Sequence, residues 1–291
     1  MMLDTQTKLF AVLGNPLGHS LSPLMQNHYF AQTGQNGVYL ALPIEQENLQ
    51  AALEGLYAIG VGGCNVTIPY KEAVLPYLAG LTPAAQACQA VNTLIPAEHG
   101  FIGDNTDGAG LLAALEHEQQ WQPQGKTIAI LGAGGAAKGI AAAMAMAGAA
   151  KLLIINRHPE RARSLCSWLE QLAPIAAEAL GMEVLASPAL YQMAQTFVNT
   201  TSVGMSPHID EMPPLAVQWL TPAHLVADII YNPLETKLLR SARLQGAKTS
   251  SGLGMFIHQG ALSFERWTGL RPQTEPLYAI LQAELEQRKG R

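Results

Sequence analysis

The hydrophobic positions along this chain form short apolar runs that alternate with stretches of helical spacing. Runs of strand length occur at LFAVLG, VYLALPI and GGCNVTI, which are residues 9–14, 38–44 and 62–68. A helix is predicted to begin near Ser22, and the apolar residues of ENLQAALEGLYAIG recur at helical spacing until Gly60 ends the segment. Strands that alternate with helices in this way are typical of an α/β fold built on parallel strands.

A second series of strands and helices begins near residue 126. The segment KTIAILGAGGAAKGIAAAMAMAGAAKLLIINR (126–157) has the pattern of a strand, a glycine turn, an alanine-rich helix and a second strand. Later strands are predicted at FVNTTS and HLVADIIY, and later helices at ETKLLRSARLQG, GMFIHQGALSFERWTG and TEPLYAILQAELEQRKG. Because the break between the series is predicted in the helix after Asp107, within residues 107–124, the chain is expected to form two α/β domains.

Composition narrows the class of protein and its partners. The chain has 291 residues, of which 48% are hydrophobic and 13% charged, as expected for a compact globular protein. A net charge of −5 provides no electrostatic footprint for nucleic acid or an anionic membrane, so small molecules are the expected partners. The most apolar stretch, GIAAAMAMAGAA, is too short to span a bilayer, and the N-terminus lacks the apolar core of a signal peptide.

The three cysteines give no sign of a metal site or a disulfide framework. Cys64, Cys88 and Cys166 stand far apart, without zinc-ligand spacing, and their number is odd. We therefore expect reduced thiols in a soluble cytoplasmic protein that binds no metal, no nucleic acid and no membrane.

The glycine turn of the second series predicts a dinucleotide site. Gly132, Gly134 and Ala137 have G-x-G-x-x-A spacing directly after an apolar strand and at the start of a helix. The first glycine permits a tight turn, the second lets the backbone approach a pyrophosphate, and the alanine allows close packing of the helix on the strand. Within a complete βαβ unit, this motif favours a cofactor site over a purely structural turn.

The residues that follow the next strand indicate which dinucleotide is bound. An NAD site usually has an acidic residue there, which bonds the ribose 2′-hydroxyl. Here the strand ends in IINRHPER, with Asn156, Arg157 and Arg161 at that position. Two guanidinium groups can bind a 2′-phosphate, so this segment favours NADP. The alternative interpretation is that the arginines are ordinary solvated residues at the start of a helix.

Polar motifs also follow the strands of the first half, in GHSLSP, NVTIPYK, AVNT and GDNTDG. Ligands of open α/β sheets bind beyond the carboxyl ends of the strands, where these motifs are expected to lie. The last motif is not a calcium loop, because it is one residue short of D-x-N-x-D-G and has Leu115 where the loop requires glutamate. Asp104 is expected to be structural, and Asp107 to begin a helix.

Taken with NTTSVGM, YNPLETKLL and GLGMFIHQGALSF, these motifs resemble the shikimate dehydrogenase family in the same order along essentially the whole chain. The resemblance implies a discontinuous substrate domain, formed by residues 1–106 and 252–291, and a Rossmann-type NADP-binding domain at 107–251, with a cleft between them. It implies an oxidoreductase that reduces 3-dehydroshikimate to shikimate with NADPH in the biosynthesis of aromatic amino acids.

The resemblance also implies which residues act, motif by motif. Lys71 and Asp107 match the catalytic pair, which handles the proton of the reacting hydroxyl. The residues implied to bind the substrate are Ser20 and Ser22 at its carboxylate, and Thr67, Asn92, Asp107, Tyr231 and Gln259 around its ring. The residues implied to bind NADP are Gly132, Ala133, Gly134, Gly135, Ala136, Asn156, Arg157, His158, Arg161, Thr200, Ile229 and Gly252, the last near the nicotinamide.

Several of these residues also have a purely structural interpretation, and the chain has alternative functions. Lys71 by itself is typical of an exposed helix start, and Ser22 and Asp107 could be N-caps. Gln89 replaces the glycine usual in the family's GAVNT motif, which is expected to affect the turn but to leave Asn92 in place. The alternative functions are an NAD-dependent quinate/shikimate dehydrogenase and a non-catalytic dinucleotide-sensing protein. The protein is expected to be a monomer or a homodimer.

Overall fold

The computed structural model describes residues 3–288, and the chain divides into two compact units. The first unit contains the chain up to Thr106 together with Ile257–Ala283, and the second contains Asp107–Phe256 together with the chain from Glu284. Each unit has its own six-stranded sheet, so the predicted α/β class is confirmed. The substrate and dinucleotide domains predicted at 1–106 with 252–291 and at 107–251 stay a prediction.

Strands and helices alternate along the chain, as the hydrophobic pattern predicts. The strands are β1 (Lys8–Gly14), β2 (Gly37–Pro43), β3 (Gly63–Val66), β4 (Gly80–Leu81), β5 (Thr93–Ala97), β6 (Gly100–Asp104), β7 (Thr127–Leu131), β8 (Lys151–Ile155), β9 (Ala176–Leu180), β10 (Thr196–Asn199), β11 (Leu225–Asp228) and β12 (Lys248–Ser250). The helices are α1 (Ser22–Thr33), α2 (Leu49–Ala58), α3 (Tyr70–Ala73), α4 (Pro83–Cys88), α5 (Asp107–Gln119), α6 (Gly135–Met146), α7 (Pro159–Leu172), α8 (Pro188–Met193), α9 (Lys237–Leu244), α10 (Gly252–Thr268) and α11 (Glu275–Arg288).

The sheet of the first unit is mixed rather than wholly parallel. Its strand order is β2-β1-β3-β5-β6-β4, with β1 parallel to both β2 and β3. Strand β5 runs antiparallel to β3 and to β6. Only Glu98 and His99 separate β5 from β6, and a connection this short can join only antiparallel neighbours. The hairpin thus departs from the parallel arrangement that the alternating pattern predicts.

Aromatic packing explains why a late helix returns to the first sheet. On α10, Phe264 is fully buried and lies 4.9 Å from the ring centroid of Phe30 on α1. The Trp267 ring lies 5.5 Å from that of Phe10 on β1. A Cβ at Gly63 would lie 2.3 Å from the Trp267 ring, so only glycine fits there. Each buried aromatic ring contributes on the order of 2–3 kcal/mol of burial free energy, which holds the end of α10 on this sheet.

The sheet of the second unit is the Rossmann sheet predicted from the sequence. Its order is β12-β11-β10-β7-β8-β9, and every neighbouring pair is parallel. Strands β9 and β12 were not predicted from the sequence. The β9 sequence, AAEAL, is alanine-rich, and the β12 sequence, KTS, has only three residues. A Cβ at Gly108 would lie 2.5 Å from the Gly139 carbonyl oxygen, so glycine lets α5 approach α6 closely.

Among the helices within residues 3–288, none combines the length and the apolar character needed to cross a membrane.

Candidate functional site

The candidate substrate residues of the first unit begin where β1 and β3 end. Thr67 follows β3, and its backbone N–H donates to the carbonyl of Leu13 on β1 at 2.9 Å. A Cβ at Gly14 would lie 2.5 Å from the Thr67 methyl group, so glycine is required where the two segments approach each other. The Thr67 side chain is therefore fixed at the carboxyl edge of two parallel strands, the edge at which α/β sheets bind ligands.

The two serines of GHSLSP lie at the start of α1. The helix begins at Ser22, and Leu21 occupies the N-cap position without a side-chain cap. Interpreting Ser22 as the N-cap is therefore wrong. Instead, the Ser20 hydroxyl oxygen accepts from the Ser22 backbone N–H at 3.2 Å, since the first N–H groups of a helix have no partner within it. Both serines are partly exposed, and two hydroxyls beside the positive end of a helix suit a carboxylate.

Lys71 lies on the short helix α3, which follows NVTIP. Tyr70 next to it is 2% exposed and its hydroxyl donates to the Ile44 carbonyl, so α3 is anchored to the unit. The Lys71 carbonyl accepts from the Val91 N–H at 2.7 Å, which holds the lysine backbone beside the segment that carries Asn92. The lysine is half-buried rather than fully exposed, and its backbone is fixed at both ends.

Asn92 is the centre of a buried polar network that the sequence only partly indicated. Its side chain is 2% exposed, and Oδ1 accepts from the Thr106 N–H at 2.9 Å and from the Thr93 hydroxyl at 2.8 Å. Its Nδ2 donates to the Gln259 Oε1 at 3.3 Å. Asn92 and Gln259, two predicted substrate residues, are thus in direct contact. The contacts also fix the orientation of the Asn92 amide.

Ser263 extends this network to α10. Its hydroxyl lies 2.7 Å from that of Thr93 and accepts from the Asn65 Nδ2 at 3.0 Å. Asn65 in turn accepts from the Tyr39 hydroxyl at 2.7 Å. None of these four side chains was predicted as a site residue, although polar residues inside the apolar strands at NVT and VNT were the available signal.

The two carboxylates of GDNTDG have different surroundings. Asp104 is 1% exposed and accepts from the Thr82 hydroxyl, the Asn105 N–H at 2.8 Å and the Arg266 Nε at 2.9 Å. Asp104 therefore ties α4 and α10 to the end of β6, which is a structural role. Asp107 is the first residue of α5 and is 7% exposed. Within residues 3–288, no group of three His, Cys, Asp or Glu side chains is arranged to hold a metal ion.

Gln89, which replaces the glycine usual in the family, adopts a backbone conformation that glycine favours. It has φ 51° and ψ 38° at the C-cap of α4, which is the left-handed region. Its Nε2 donates to the Gln86 carbonyl at 2.8 Å. The substitution therefore keeps the turn that leads to Asn92.

The glycine turn of the second unit has the open backbone expected of a dinucleotide site. Gly132 has φ +116°, and a Cβ there would lie 2.5 Å from the Thr200 hydroxyl oxygen. Gly134 is the exposed N-cap of α6, and a Cβ at Gly134 would have no neighbour within 4 Å. Gly135 begins the helix, so its first N–H groups are presented where a phosphate can approach.

The basic segment after β8 lies beside this turn in the sheet order. His158 is the N-cap of α7, and the Asn156 Nδ2 donates to its carbonyl at 3.1 Å. Arg157 and Arg161 are exposed, and in the described part of the chain neither guanidinium forms an ion pair. Glu160 lies 3.7 Å from the His158 Nδ1 and, among the described residues, forms no ion pair with either arginine.

The remaining candidates of the second unit, apart from Thr200, lie between the end of β11 and the first residue of α10. The Gly252 N–H donates to the Ile230 carbonyl at 3.0 Å, and a Cβ at Gly252 would lie 2.1 Å from the Ile229 carbonyl oxygen. The Tyr231 ring stacks on Phe256 with 4.9 Å between centroids. Tyr231, predicted to bind substrate, is therefore close in the chain and in space to residues predicted to bind the cofactor.

The predicted residues thus divide between the two units. Those in the first unit are Ser20, Ser22, Thr67, Lys71, Asn92 and Gln259. Those in the second unit are Asp107, Tyr231 and all of the candidates for binding NADP. Roles in catalysis and binding for these residues stay predictions.

Comparisons with known proteins cover nearly the whole chain. Family profiles match the shikimate dehydrogenase substrate binding domain at residues 12–94, shikimate/quinate 5-dehydrogenase at 114–186, and the shikimate 5′-dehydrogenase C-terminal domain at 252–282. The shikimate dehydrogenase (NADP(+)) of Moorella thermoacetica is 45% identical in an alignment of 280 positions that covers 92% of this chain and 90% of that protein.

Two solved structures are similar throughout. Shikimate 5-dehydrogenase from Listeria monocytogenes, in complex with shikimate and NAD, has a TM-score of 0.91 and 33% identity over 97% of this chain and 98% of its own. Shikimate 5-dehydrogenase from Thermus thermophilus, in complex with NADP(H) and shikimate, has a TM-score of 0.82 and 34% identity over 97% and 99%.

Proposed function

From the premise that this chain belongs to the shikimate dehydrogenase family, we propose that it reduces 3-dehydroshikimate to shikimate with NADPH. The reaction is a reversible hydride transfer and serves the biosynthesis of aromatic amino acids. The observation that carries the proposal is that one chain combines the fixed polar network around Asn92 with a dinucleotide turn flanked by two exposed arginines. The family resemblance predicted from the sequence is confirmed.

In this proposal the first unit holds the substrate. The hydroxyls of Ser20 and Ser22 bind its carboxylate without burying a full positive charge. Thr67, Asn92 and Gln259 bind ring hydroxyls, and the contact between Asn92 and Gln259 supports this because it keeps both amides in one orientation. A cyclic polyol needs several partners at fixed angles, which a rigid network supplies better than mobile surface side chains.

Lys71 and Asp107 handle the proton. When a secondary alcohol is oxidised, a protein group must take the hydroxyl proton as hydride leaves for the cofactor. An ammonium group also stabilises the negative charge that develops on that oxygen. We assign the proton to the two residues jointly, because the motifs of this sequence match both of them to the catalytic pair of the family.

NADP supplies the hydride acceptor, and its binding is proposed for the second unit. The open backbone at Gly132–Ala136 suits the pyrophosphate, and Arg157 and Arg161 suit the 2′-phosphate of the adenosine ribose. The two arginines are exposed and have no ion-pair partner within residues 3–288. This supports the proposal, since a ligand phosphate would not have to compete with a carboxylate of the protein for their guanidinium groups. Relatives named for NADP(+) and the NADP(H) complex support the same cofactor.

The compartment is proposed to be the cytoplasm. All three cysteines are buried, and within residues 3–288 no disulfide joins any of them, as expected where thiols are kept reduced.

Initial rates with four substrate pairs test the proposed function. Shikimate and quinate are each oxidised with NADP+ and with NAD+, and formation of the reduced nicotinamide is followed by absorbance. We expect strong turnover only for shikimate with NADP+. Comparable rates with quinate and NAD+ would favour a quinate/shikimate dehydrogenase. Cofactor binding without turnover of either polyol would favour a dinucleotide-sensing protein.

Removing both arginines is expected to weaken NADP+ selectively. The double substitution Arg157→Ala and Arg161→Ala should raise KM for NADP+ by about 10²- to 10⁴-fold, because each hydrogen-bonded charge contributes about 1.5–3 kcal/mol. KM for NAD+, which lacks the 2′-phosphate, should change little. Arg163→Ala is the matched control, since Arg163 is exposed on the same helix. Equal losses with NADP+ and NAD+ would contradict the assignment of the arginines to the 2′-phosphate.

A further inference from the structure

Two buried polar side chains end adjacent strands of the second sheet. Asn199 ends β10, Asp228 ends β11, and each is 1% exposed. The Asn199 Nδ2 donates to the Asp228 Oδ1 at 3.0 Å, and the Ile230 N–H donates to the same oxygen at 3.1 Å. The other oxygen, Oδ2, accepts from the Thr236 hydroxyl at 2.8 Å. A single carboxylate thus accepts from the end of β10, from the turn directly after β11 and from the residue that precedes α9.

Stability alone does not account for a carboxylate at this place. Burial raises the pKa of Asp228 to about 6, although its three hydrogen bonds act in the opposite direction. Within residues 3–288, no lysine, arginine or histidine forms an ion pair with it. A buried charge without a cation is costly even when it is hydrogen-bonded, so a role outside stability explains its presence better.

On one side, the pair holds the segment that covers the glycine turn. The Asn199 Oδ1 accepts from the Thr201 N–H at 3.1 Å and from the Thr201 hydroxyl at 2.7 Å. Thr200, between them, donates from its N–H and its hydroxyl to the Leu131 carbonyl at 2.9 and 2.7 Å. Its hydroxyl oxygen fills the space beside Gly132. Asn199 therefore sets the conformation of the segment next to the dinucleotide turn.

On the other side, Asp228 holds the segment that contacts the start of α10. The Ile229 N–H donates to the Asn199 carbonyl at 3.1 Å, and the Ile230 N–H donates to the carboxylate. This turns the carbonyls of Ile229 and Ile230 toward Gly252, whose N–H donates to Ile230 at 3.0 Å. Thr200, Ile229 and Gly252, all candidates for binding the cofactor, are thus linked through one buried carboxylate.

We propose that Asp228 is a positioning residue for the nicotinamide end of the cofactor site. It touches neither substrate nor cofactor. Through Asn199 it orients the segment beside Gly132, and through Ile230 it fixes the backbone that faces Gly252. A carboxylate suits this role because it accepts from three donors at once, whereas an amide must turn one of its two polar groups into a donor. The role rests on the proposed NADP-dependent function.

Asp228→Asn tests this role with a substitution of nearly equal size. We expect kcat for shikimate oxidation to fall about 10- to 100-fold, because hydrogen bonds to a charged group are replaced by weaker ones around the nicotinamide. The Kd of adenosine 2′,5′-bisphosphate, a probe of the adenine end only, should stay within about twofold of the wild-type value. With shikimate deuterated at the carbon that loses hydride, the isotope effect on kcat should rise, since hydride transfer becomes more rate-limiting.

Control variants separate positioning from general loosening of the unit. Asp210→Asn makes the same change at an exposed aspartate and should match the wild type. Thr236→Val removes the donor to Asp228 and also the hydroxyl that caps α9 by accepting from the Leu239 N–H, and it should lower kcat in the same direction as Asp228→Asn but less. Thr236→Ser keeps the hydroxyl and should restore the rate. If Asp228→Asn does not fold, the two milder variants at Thr236 test the same positioning role.

Unchanged kcat in Asp228→Asn, or in Thr236→Val, would overturn the proposal. So would a loss of bisphosphate binding in parallel with kcat, because that would mean the whole unit had loosened. The wild-type protein reports separately on the proposed function. If it neither binds the bisphosphate nor oxidises shikimate, the NADP-dependent assignment fails, whatever the variants do.

Discussion

Replacing Lys71 by alanine is expected to lower kcat for shikimate oxidation by about 10²- to 10⁴-fold, the range typical of losing a group that transfers a proton in the transition state. The side chain also provides a positive charge near the developing oxyanion, and this contribution is lost as well. KM for NADP+ should change little, because Lys71 lies in the first unit and the proposed cofactor residues lie in the second. The measurement is the initial rate of NADPH formation at saturating shikimate.

The neighbouring Glu72 provides the matched control. It lies on the same short helix α3 and is exposed, so Glu72→Ala should keep the wild-type rate. Both variants should unfold at nearly the wild-type temperature, because Tyr70 and the Lys71 carbonyl, which anchor α3, are unchanged. Full activity in Lys71→Ala would remove the lysine from the proposed mechanism and leave an ordinary helix-start lysine as the better interpretation.

Replacing Asp107 by asparagine is expected to lower kcat by about 10²- to 10³-fold, because the amide cannot accept the hydroxyl proton. The double variant Lys71→Ala and Asp107→Asn should be little slower than the slower single variant, since residues that act as one unit are not additive. The rates of the four proteins complete a double-mutant cycle at one pH.

Glu116→Gln is the control for this change. Glu116 is an exposed carboxylate on the same helix α5, so its amide variant should turn over at the wild-type rate. If the losses from Lys71→Ala and Asp107→Asn multiplied in the double variant, the two residues would be acting independently. The joint assignment of the proton would then be wrong.

Local sequence patterns were enough to predict the first βαβ unit of the second sheet, from β7 to β8. The strand, turn and helix that end in β8 are close together in the chain, so apolar spacing and the glycine pattern report on them directly. The first glycine has the positive φ that the motif requires, +116° at Gly132. The basic residues after β8 were singled out in the same way, because their predicted role at the cofactor depends only on where the strand ends.

The antiparallel hairpin of the first sheet and the short strand β12 were missed for physical reasons. A two-residue connection decides the direction of β6, yet hydrophobic spacing contains no information about which neighbour a strand pairs with. Strand β12 has only three residues, KTS, and exists because it pairs with β11. Pairing partners outside the segment, rather than its own residues, define such strands.

By itself, the sequence determined the α/β class, the glycine turn and a family resemblance carried by ordered motifs. Tertiary structure alone decided which polar groups meet. Thr93 and Ser263 are 170 positions apart and Asp104 and Arg266 are 162 apart, yet each pair is in contact. Asn199 and Asp228 meet because β10 and β11 are neighbours in the sheet. Periodicity and spacing describe a window of some tens of residues, whereas a hydrogen bond between distant residues exists only after strands have paired and helices have packed.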